Sequence, residues 1–254
     1  MTVVPRPTIA FFAVEPAVAT RGRTIRLTGV FGGGTGFING VGLANVPVFS
    51  AVTLFAVAPP IEGTYTYSLT VTNAAGGTAV AFVDLTVVPP PTITAFSAAA
   101  NIITVRTSTT LTAVFGDGAA TVDNGVGATT SGTPISTGIL TSTTTFTLTV
   151  TNDVGGTATA TVTVTVVAAP DIVSFTALPA TVLSGGAATL TAVFSGGIGS
   201  ITDNFGSGVR VVNSGIGVST GPLMASTIYV LNVTNVAGGI ATASVTVLVS
   251  GTPP

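Results

Sequence analysis

Alternation of apolar and polar residues with period two runs through most of the chain. "TATATVTVTVV" (157–167) and "FTLTVTN" (146–152) put Val, Leu and Phe on one face and Thr on the other, the pattern of half-buried β-strands. The Asn-x-x-Gly-Gly link between them supplies residues that tolerate positive φ, as a hairpin requires. With 32 Gly and 15 Pro, no stretch is uninterrupted enough to hold a long helix. The pattern predicts many short strands separated by turns.

The strands recur in blocks. Pro-[Thr/Asp]-Ile-x-x-Phe occurs at Pro7–Phe12, Pro91–Phe96 and Pro170–Phe175, and Leu-Thr-x-Val-Phe follows at Leu27–Phe31, Leu111–Phe115 and Leu190–Phe194. A turn-like Asn comes next, at Asn39, Asn124 and Asn204. Each block closes on [Tyr/Phe]-x-Leu-x-Val-Thr-Asn (Tyr67–Asn73, Phe146–Asn152, Tyr229–Asn235) and then a Gly-Gly pair. The spacing is 79 to 85 residues, so the chain consists of three copies of one structural unit.

Several short strands with frequent turn signals in about 80 residues predict an immunoglobulin-like β-sandwich. The fold class is therefore all-β: three tandem immunoglobulin-like sandwiches in an elongated rod. The boundaries fall at 1–89, 90–169 and 170–254, where "VVPPPT" (87–92) and "VVAAPD" (166–171) make short joints stiffened by proline. Strands of about ten residues placed in line give a rod of roughly 100 Å. The repeated aromatics Phe12, Phe96 and Phe175, then Phe31, Phe115 and Phe194, then Tyr67, Phe146 and Tyr229 are expected as core anchors rather than ligand contacts.

The run "GTYTYSLTVTNAAGGTAVAFVDLTVV" (63–88), with its counterparts at 143–167 and 227–249, resembles the closing hairpin of bacterial Ig-like and polycystic-kidney-disease-type (PKD-type) domains. "VFGDG" (114–118) is similar to the end of the PKD-type Trp-Asp-Phe-Gly-Asp-Gly signature, without its Trp and first Asp; the other repeats read "VFGGG" (30–34) and "VFSGG" (193–197). The resemblance implies an extracellular or surface array used as stalk, adhesin or fibre, and it brings no catalytic residues.

Composition narrows the chemistry. Only 6% of residues are charged, against about 25% in an ordinary soluble domain. All six cations are Arg, and Lys, His, Cys and Trp are absent. A net charge of −2 with no basic stripe excludes a nucleic-acid partner. Without His or Cys there is no Ser-His-Asp or Cys-His site, no thiolate or imidazole zinc site and no disulfide. Without Lys there are no Lys–Asn amide cross-links. The mean hydropathy of +0.80 does not signal a membrane span, because Thr, Gly, Ser and Pro break every apolar run well short of about 20 residues. Nor does the N-terminus carry a basic stretch and long apolar core, so the chain reads as mature, trimmed or exported by another route.

Remaining candidates for chemistry are weak. Asp117, Asp123 and Asn124 come nearest to a calcium set, yet "DNG" (123–125) reads more simply as a tight turn. Asn232-Val-Thr is the one glycosylation sequon and falls inside a strand. Tyr65 is the only tyrosine outside the repeated positions, which leaves little for stacking a sugar. No catalytic, cofactor-binding or metal residues are expected, and no enzyme activity.

The opening "MTVVPRPTI" matches the internal joints "LTVVPPPTI" (85–93) and "VTVVAAPDI" (164–172). Residues 1–6 thus read as a strand-like tail. The tail is either the end of a preceding unit or a strand offered to a neighbouring subunit, whose sheet edge has unpaired N–H and C=O groups. The far end "VTVLVSGTPP" (245–254) stops where an internal joint would continue. Chains placed tail to head would rebuild a joint between subunits, and such a heterologous contact generates an open filament. The candidate subunit joint comprises Met1, Thr2, Val3, Val4, Pro5, Pro253 and Pro254. The expected function is an extracellular or cell-surface structural protein, a self-assembling pilus-like filament or surface-layer subunit. Its partners are copies of itself, with cell-surface or extracellular-matrix components besides. The alternative is a monomeric adhesin stalk or ligand-binding module.

Overall fold

The computed structural model describes residues 3–251, and among them every regular element is a β-strand. The first repeat holds β1 (Thr8–Glu15), β2 (Val18–Thr20), β3 (Thr24–Gly32), β4 (Thr35–Gly40), β5 (Leu43–Val48), β6 (Thr53–Val57), β7 (Gly63–Thr72) and β8 (Thr78–Val88). The second holds β9 (Thr92–Ala98), β10 (Ile102–Thr104), β11 (Thr110–Gly116), β12 (Ala119–Val122), β13 (Gly127–Thr129), β14 (Ile135–Ser136), β15 (Thr144–Thr151) and β16 (Thr157–Val167). The third holds β17 (Asp171–Leu178), β18 (Thr181–Leu183), β19 (Thr189–Ser195), β20 (Ile198–Asp203), β21 (Arg210–Val212), β22 (Gly217–Ser219), β23 (Thr227–Thr234) and β24 (Ile240–Ser250).

The strands make the same two sheets three times. In the first repeat these are β1-β3-β6 and β2-β8-β7-β4-β5. The second has β9-β11-β14 and β10-β16-β15-β12-β13, and the third β17-β19-β22 and β18-β24-β23-β20-β21. The sheets are antiparallel except where the short strands β2, β10 and β18 run parallel to the ends of β8, β16 and β24. Each repeat encloses its own apolar cluster, which is how a sandwich buries one face of each sheet.

The motif Pro-x-Ile-x-x-Phe has a physical reason. Ile9 and Phe12 are three residues apart, so a regular strand would aim them at opposite faces. A bulge in the pairing with β3 lies between Ile9 and Phe11, and it returns both side chains to the core. The same irregularity sits between Ile172 and Ser174, and opposite Val114 and Phe115 in the second repeat. Ile93, Phe96, Ile172 and Phe175 likewise pack on their clusters. Tyr67 and Phe146 are fully buried and Tyr229 nearly so, while Phe31, Phe115 and Phe194 pack partly buried against the same cores.

Gly34, Gly118 and Gly197 let strands cross closely. A Cβ on Gly118 would lie 2.7 Å from the Thr151 carbonyl oxygen, and one on Gly197 would lie 2.6 Å from that of Thr234. This is why the third position of Gly-Gly-Gly, Gly-Asp-Gly and Ser-Gly-Gly never varies. The middle position is left-handed, with φ of 75° at Gly33, 60° at Asp117 and 73° at Gly196.

Candidate functional site

The hairpins that close the five-stranded sheets do more than turn the chain. In each, the Asn side-chain oxygen accepts from the backbone of the following loop: Gly77 N–H to Asn73 at 2.8 Å, Gly156 N–H to Asn152 at 2.7 Å, and Gly239 N–H to Asn235 at 2.8 Å. That locks the loop and aims the amide nitrogen outward, at the linker that precedes the repeat. Asn152 Nδ2 donates to the Pro89 carbonyl at 3.1 Å and Asn235 Nδ2 to the Ala168 carbonyl at 2.8 Å. Asn73 Nδ2 makes the same bond to the Pro5 carbonyl, at 2.8 Å.

At both internal joints the preceding repeat adds a threonine. Asn235 Nδ2 also donates to Thr104 Oγ1, the last residue of β10, at 3.1 Å. That hydroxyl lies so near the loop that a Cβ on Gly239 would be 2.8 Å from it. At the first joint Thr20 Oγ1, the last residue of β2, would be 2.9 Å from a Cβ on Gly156. Thr20 is only 6% exposed, so the neighbouring repeats cover a polar side chain. The glycine of each pair that ends the hairpin is therefore a contact surface as well as a turn residue.

The two outer ends of the array differ from these joints. At the first repeat, the three atoms nearest a Cβ on Gly77 all belong to its own Asn73, at 3.2–3.5 Å. At the third repeat, Leu183 stands where Thr20 and Thr104 stand, by its parallel pairing with Ser250 against theirs with Val88 and Val167. Leu183 is 73% exposed.

Of the residues that the sequence nominates for a subunit joint, Met1, Thr2, Pro253 and Pro254 lie outside the described residues. Val3, Val4 and Pro5 are exposed and carry no strand. Within this chain residues 3–6 form no strand, and Pro5 has no N–H to give to a ladder. The Pro5 carbonyl is instead held by the chain's own Asn73. Sequence analysis missed the outward amides of Asn73, Asn152 and Asn235 and the threonines that meet them. The thrice-repeated Val-Thr-Asn-x-x-Gly-Gly was the available signal, since a turn alone does not require the same Asn each time.

Among the described residues, no three Asp or Glu side chains come together as a candidate metal site. Asp117 and Asp123 lie at opposite ends of β12, and Asp123 is used locally, accepting from Thr147 N–H at 2.7 Å. Glu15 pairs with Arg26 at 3.3 Å on the surface. Asn232 accepts a hydrogen bond from Thr242 within the β23–β24 ladder. The Tyr65 hydroxyl donates to the Ile61 carbonyl. The Tyr67 hydroxyl is buried with no hydrogen-bond partner, and burial raises its pKa above the usual 10.0, with Tyr65 adding to the shift.

The third repeat carries a cleft of about 320 Å³ between its β20–β21 and β22–β23 loops, with Asp203, Phe205, Arg210, Met224 and Tyr229 among its walls. Backbone N–H groups of Ser207 and Phe205 hold the Asp203 carboxyl below the usual carboxylate range. Arg210 is tied to the Ser219 carbonyl at 2.8 Å. Burial pushes the Tyr229 phenol upward. Phe205 and Met224 are 61% and 70% exposed, so the rim is apolar around two fixed charges.

No protein-family model matches the chain, and no curated protein sequence matches it. Solved structures do. The N-terminal eight Ig domains of Down Syndrome Cell Adhesion Molecule match 97% of this chain with 37% of theirs, at 16% identity and a TM-score of 0.59. A three-domain I-band fragment of titin matches 98% of this chain with 100% of its own length, at 12% identity and a TM-score of 0.52. Sidekick-1 immunoglobulin domains 1–5 match 98% at 16% identity with a TM-score of 0.37, and this chain spans 59% of that structure. At these identities the likeness is one of fold: the chain is a tandem array of immunoglobulin-like β-sandwiches.

Proposed function

We propose that this protein is an extracellular structural protein, a rod of three sandwiches that joins copies of itself head to tail into a filament or surface layer. The domains are taken as 1–89, 90–169 and 170–254. The reading is carried by Asn73, which holds the Pro5 carbonyl as Asn152 and Asn235 hold their linkers, so the first repeat is built for the same joint as the internal ones. A surface with so few charges also suits a protein whose faces are covered by neighbours. The test is electron microscopy of the protein from its native source, without denaturant, beside the chain lacking residues 1–6. Regular filaments that vanish with the deletion support the proposal. Dispersed rods of roughly 100 Å from the intact protein overturn it.

The cleft in the third repeat favours a second reading, a monomeric adhesin stalk presenting a ligand site on cell-surface or matrix components. Its apolar rim and the Asp203–Arg210 pair of fixed charges suit a small polar ligand with one apolar face. Loss of surface binding on Arg210→Ala, with the β-fold intact, supports this reading. Unchanged binding overturns it.

A further inference from the structure

The cleft of the third repeat has a chemistry that the same corner lacks in the other two. Asp203 pairs with Tyr229 in the β20–β23 ladder, two residues on from the Ile201–Leu231 pair of the core, so its carboxylate takes the core-facing side at the end of the sandwich. In the first repeat Gly40 stands there, two residues after Ile38, and a Cβ on it would run into the Tyr67 ring. In the second, Phe146 brings no hydroxyl, and Asp123 is spent on Thr147 N–H. The loop that walls the cleft is also the longest of its kind. Residues 204–209 join β20 to β21, against 41–42 and 123–126 in the other repeats.

We propose that this cleft is a sugar-binding site that takes a pyranose ring of a surface glycan, which rests on the stalk reading above and names its ligand. Asp203 accepts the Phe205 and Ser207 N–H groups on Oδ1, at 3.0 Å each, which leaves Oδ2 as an acceptor. Arg210 commits Nη1 to the Ser219 carbonyl and keeps Nη2 as a donor. The two form no ion pair with each other among the described residues, so both serve a ligand. On the floor, Tyr229, Thr220 and Thr227 are buried. Thr220 and Thr227 donate to the Gly221 and Ala225 carbonyls and can only accept from a ligand, whereas the Tyr229 hydroxyl can do either. Adjacent ring hydroxyls, each donor and acceptor at once, satisfy such a mixed set; a lone cation or anion satisfies only part of it. Phe205, exposed on the rim, supplies an aromatic surface for the C–H side of the same ring. A volume of about 320 Å³ lies at the small end of ligand pockets, about 300–1,000 Å³, and fits a terminal sugar rather than a long chain.

The experiment is saturation-transfer NMR of the full chain with the methyl pyranosides of glucose, galactose, mannose and N-acetylglucosamine, and with glycine betaine as a zwitterion. The proteins are wild type, Phe205→Ala and Asp203→Asn, each checked for its β-fold by circular dichroism. Asp203→Asn keeps an oxygen for the two loop N–H groups, so it removes the charge and leaves the loop. A pyranoside is expected to take up saturation on one ring face, and either variant to hold it about tenfold more weakly, the equivalent of one hydrogen bond to a charged group or one aromatic contact. Added free, that pyranoside should displace the chain from the surface it binds; if it does not, the ligand is a free sugar and the surface glycan falls. A pyranoside bound equally by all three proteins overturns the proposal, because the sugar then sits elsewhere. Binding of betaine and of no pyranoside overturns it too, in favour of a zwitterion. If nothing binds and surface binding is still lost with Arg210→Ala, the sugar falls and the stalk reading stands. If nothing binds and Arg210→Ala leaves surface binding unchanged, both fall.

Discussion

The closing hairpins of the first and second repeats have matching inner faces and unlike outer ones. Inward, β7 presents Tyr67, Leu69 and Val71 and β15 presents Phe146, Leu148 and Val150, all fully buried. Outward, the second hairpin is a ladder of threonines, with Thr145, Thr147, Thr149 and Thr151 opposite Thr163, Thr161, Thr159 and Thr157. The same positions in the first hairpin pair Thr66 with Asp84, Ser68 with Phe82, Thr70 with Val80 and Thr72 with Thr78. Phe82 and Val80 are 68% and 50% exposed there. Close packing constrains the inner face to shape and volume, whereas the outer face asks only for residues that suit a pleated surface. The Asn-x-x-Gly-Gly end behaves like the inner face. It recurs in all three repeats with the same Asn–Gly hydrogen bond, and at the second and third a neighbouring repeat packs on it.

Substitutions can break that division, beginning with the largest effect. Phe146→Ala should cost the second repeat about 3–5 kcal/mol, from lost burial and the cavity left behind, read by denaturant unfolding. Gly118→Ala should cost about 2 kcal/mol as its Cβ meets the Thr151 backbone. Asn152→Ala should cost about 1 kcal/mol and loosen the first joint, which would appear as a broader range of inter-repeat distances in solution scattering. Thr149→Val, on the outer face, should stay within about 0.5 kcal/mol of wild type; a larger loss would mean that this ladder is covered in solution.

The inner faces themselves differ at one atom. Tyr67 buries a hydroxyl with no partner where Phe146 has none. Replacing Tyr67 with Phe should therefore stabilise the first repeat by about 1 kcal/mol. Its pKa is raised in the fold above 10.0, so the unfolded chain loses this proton first. Tyr67 keeps its full contribution below pH 10 and drains stability as pH rises beyond that value. Melting curves at increasing alkaline pH should fall more steeply for wild type than for Tyr67→Phe. Equal slopes would mean that the hydroxyl is solvated in the folded protein.

The core was legible from local pattern. Period-two alternation identified strands, the spacing of 79 to 85 residues identified three repeats, and the recurring aromatics all pack on the apolar clusters. The bulge was legible only as an oddity, an Ile and a Phe three residues apart, because its outcome depends on the facing strand. The interaction site was scarcely legible. Thr104 and Asn235 are 131 residues apart, and neither residue type is unusual in a strand end or a turn. Likewise Asp117 and Asp123 are near in sequence but separated by the length of β12.

By itself, then, the order of residues determined the β-fold, the threefold repetition and the absence of thiol and imidazole chemistry, since these depend on residue type and short-range period. Only the tertiary structure decided that Asn73, Asn152 and Asn235 aim their amides at the linkers, that Thr20 and Thr104 cap two of the hairpins, and that Leu183 occupies the same corner at the far end. Those facts arise where separate sandwiches meet. A contact between distant segments depends on how each has already folded, and no local pattern of side chains encodes it.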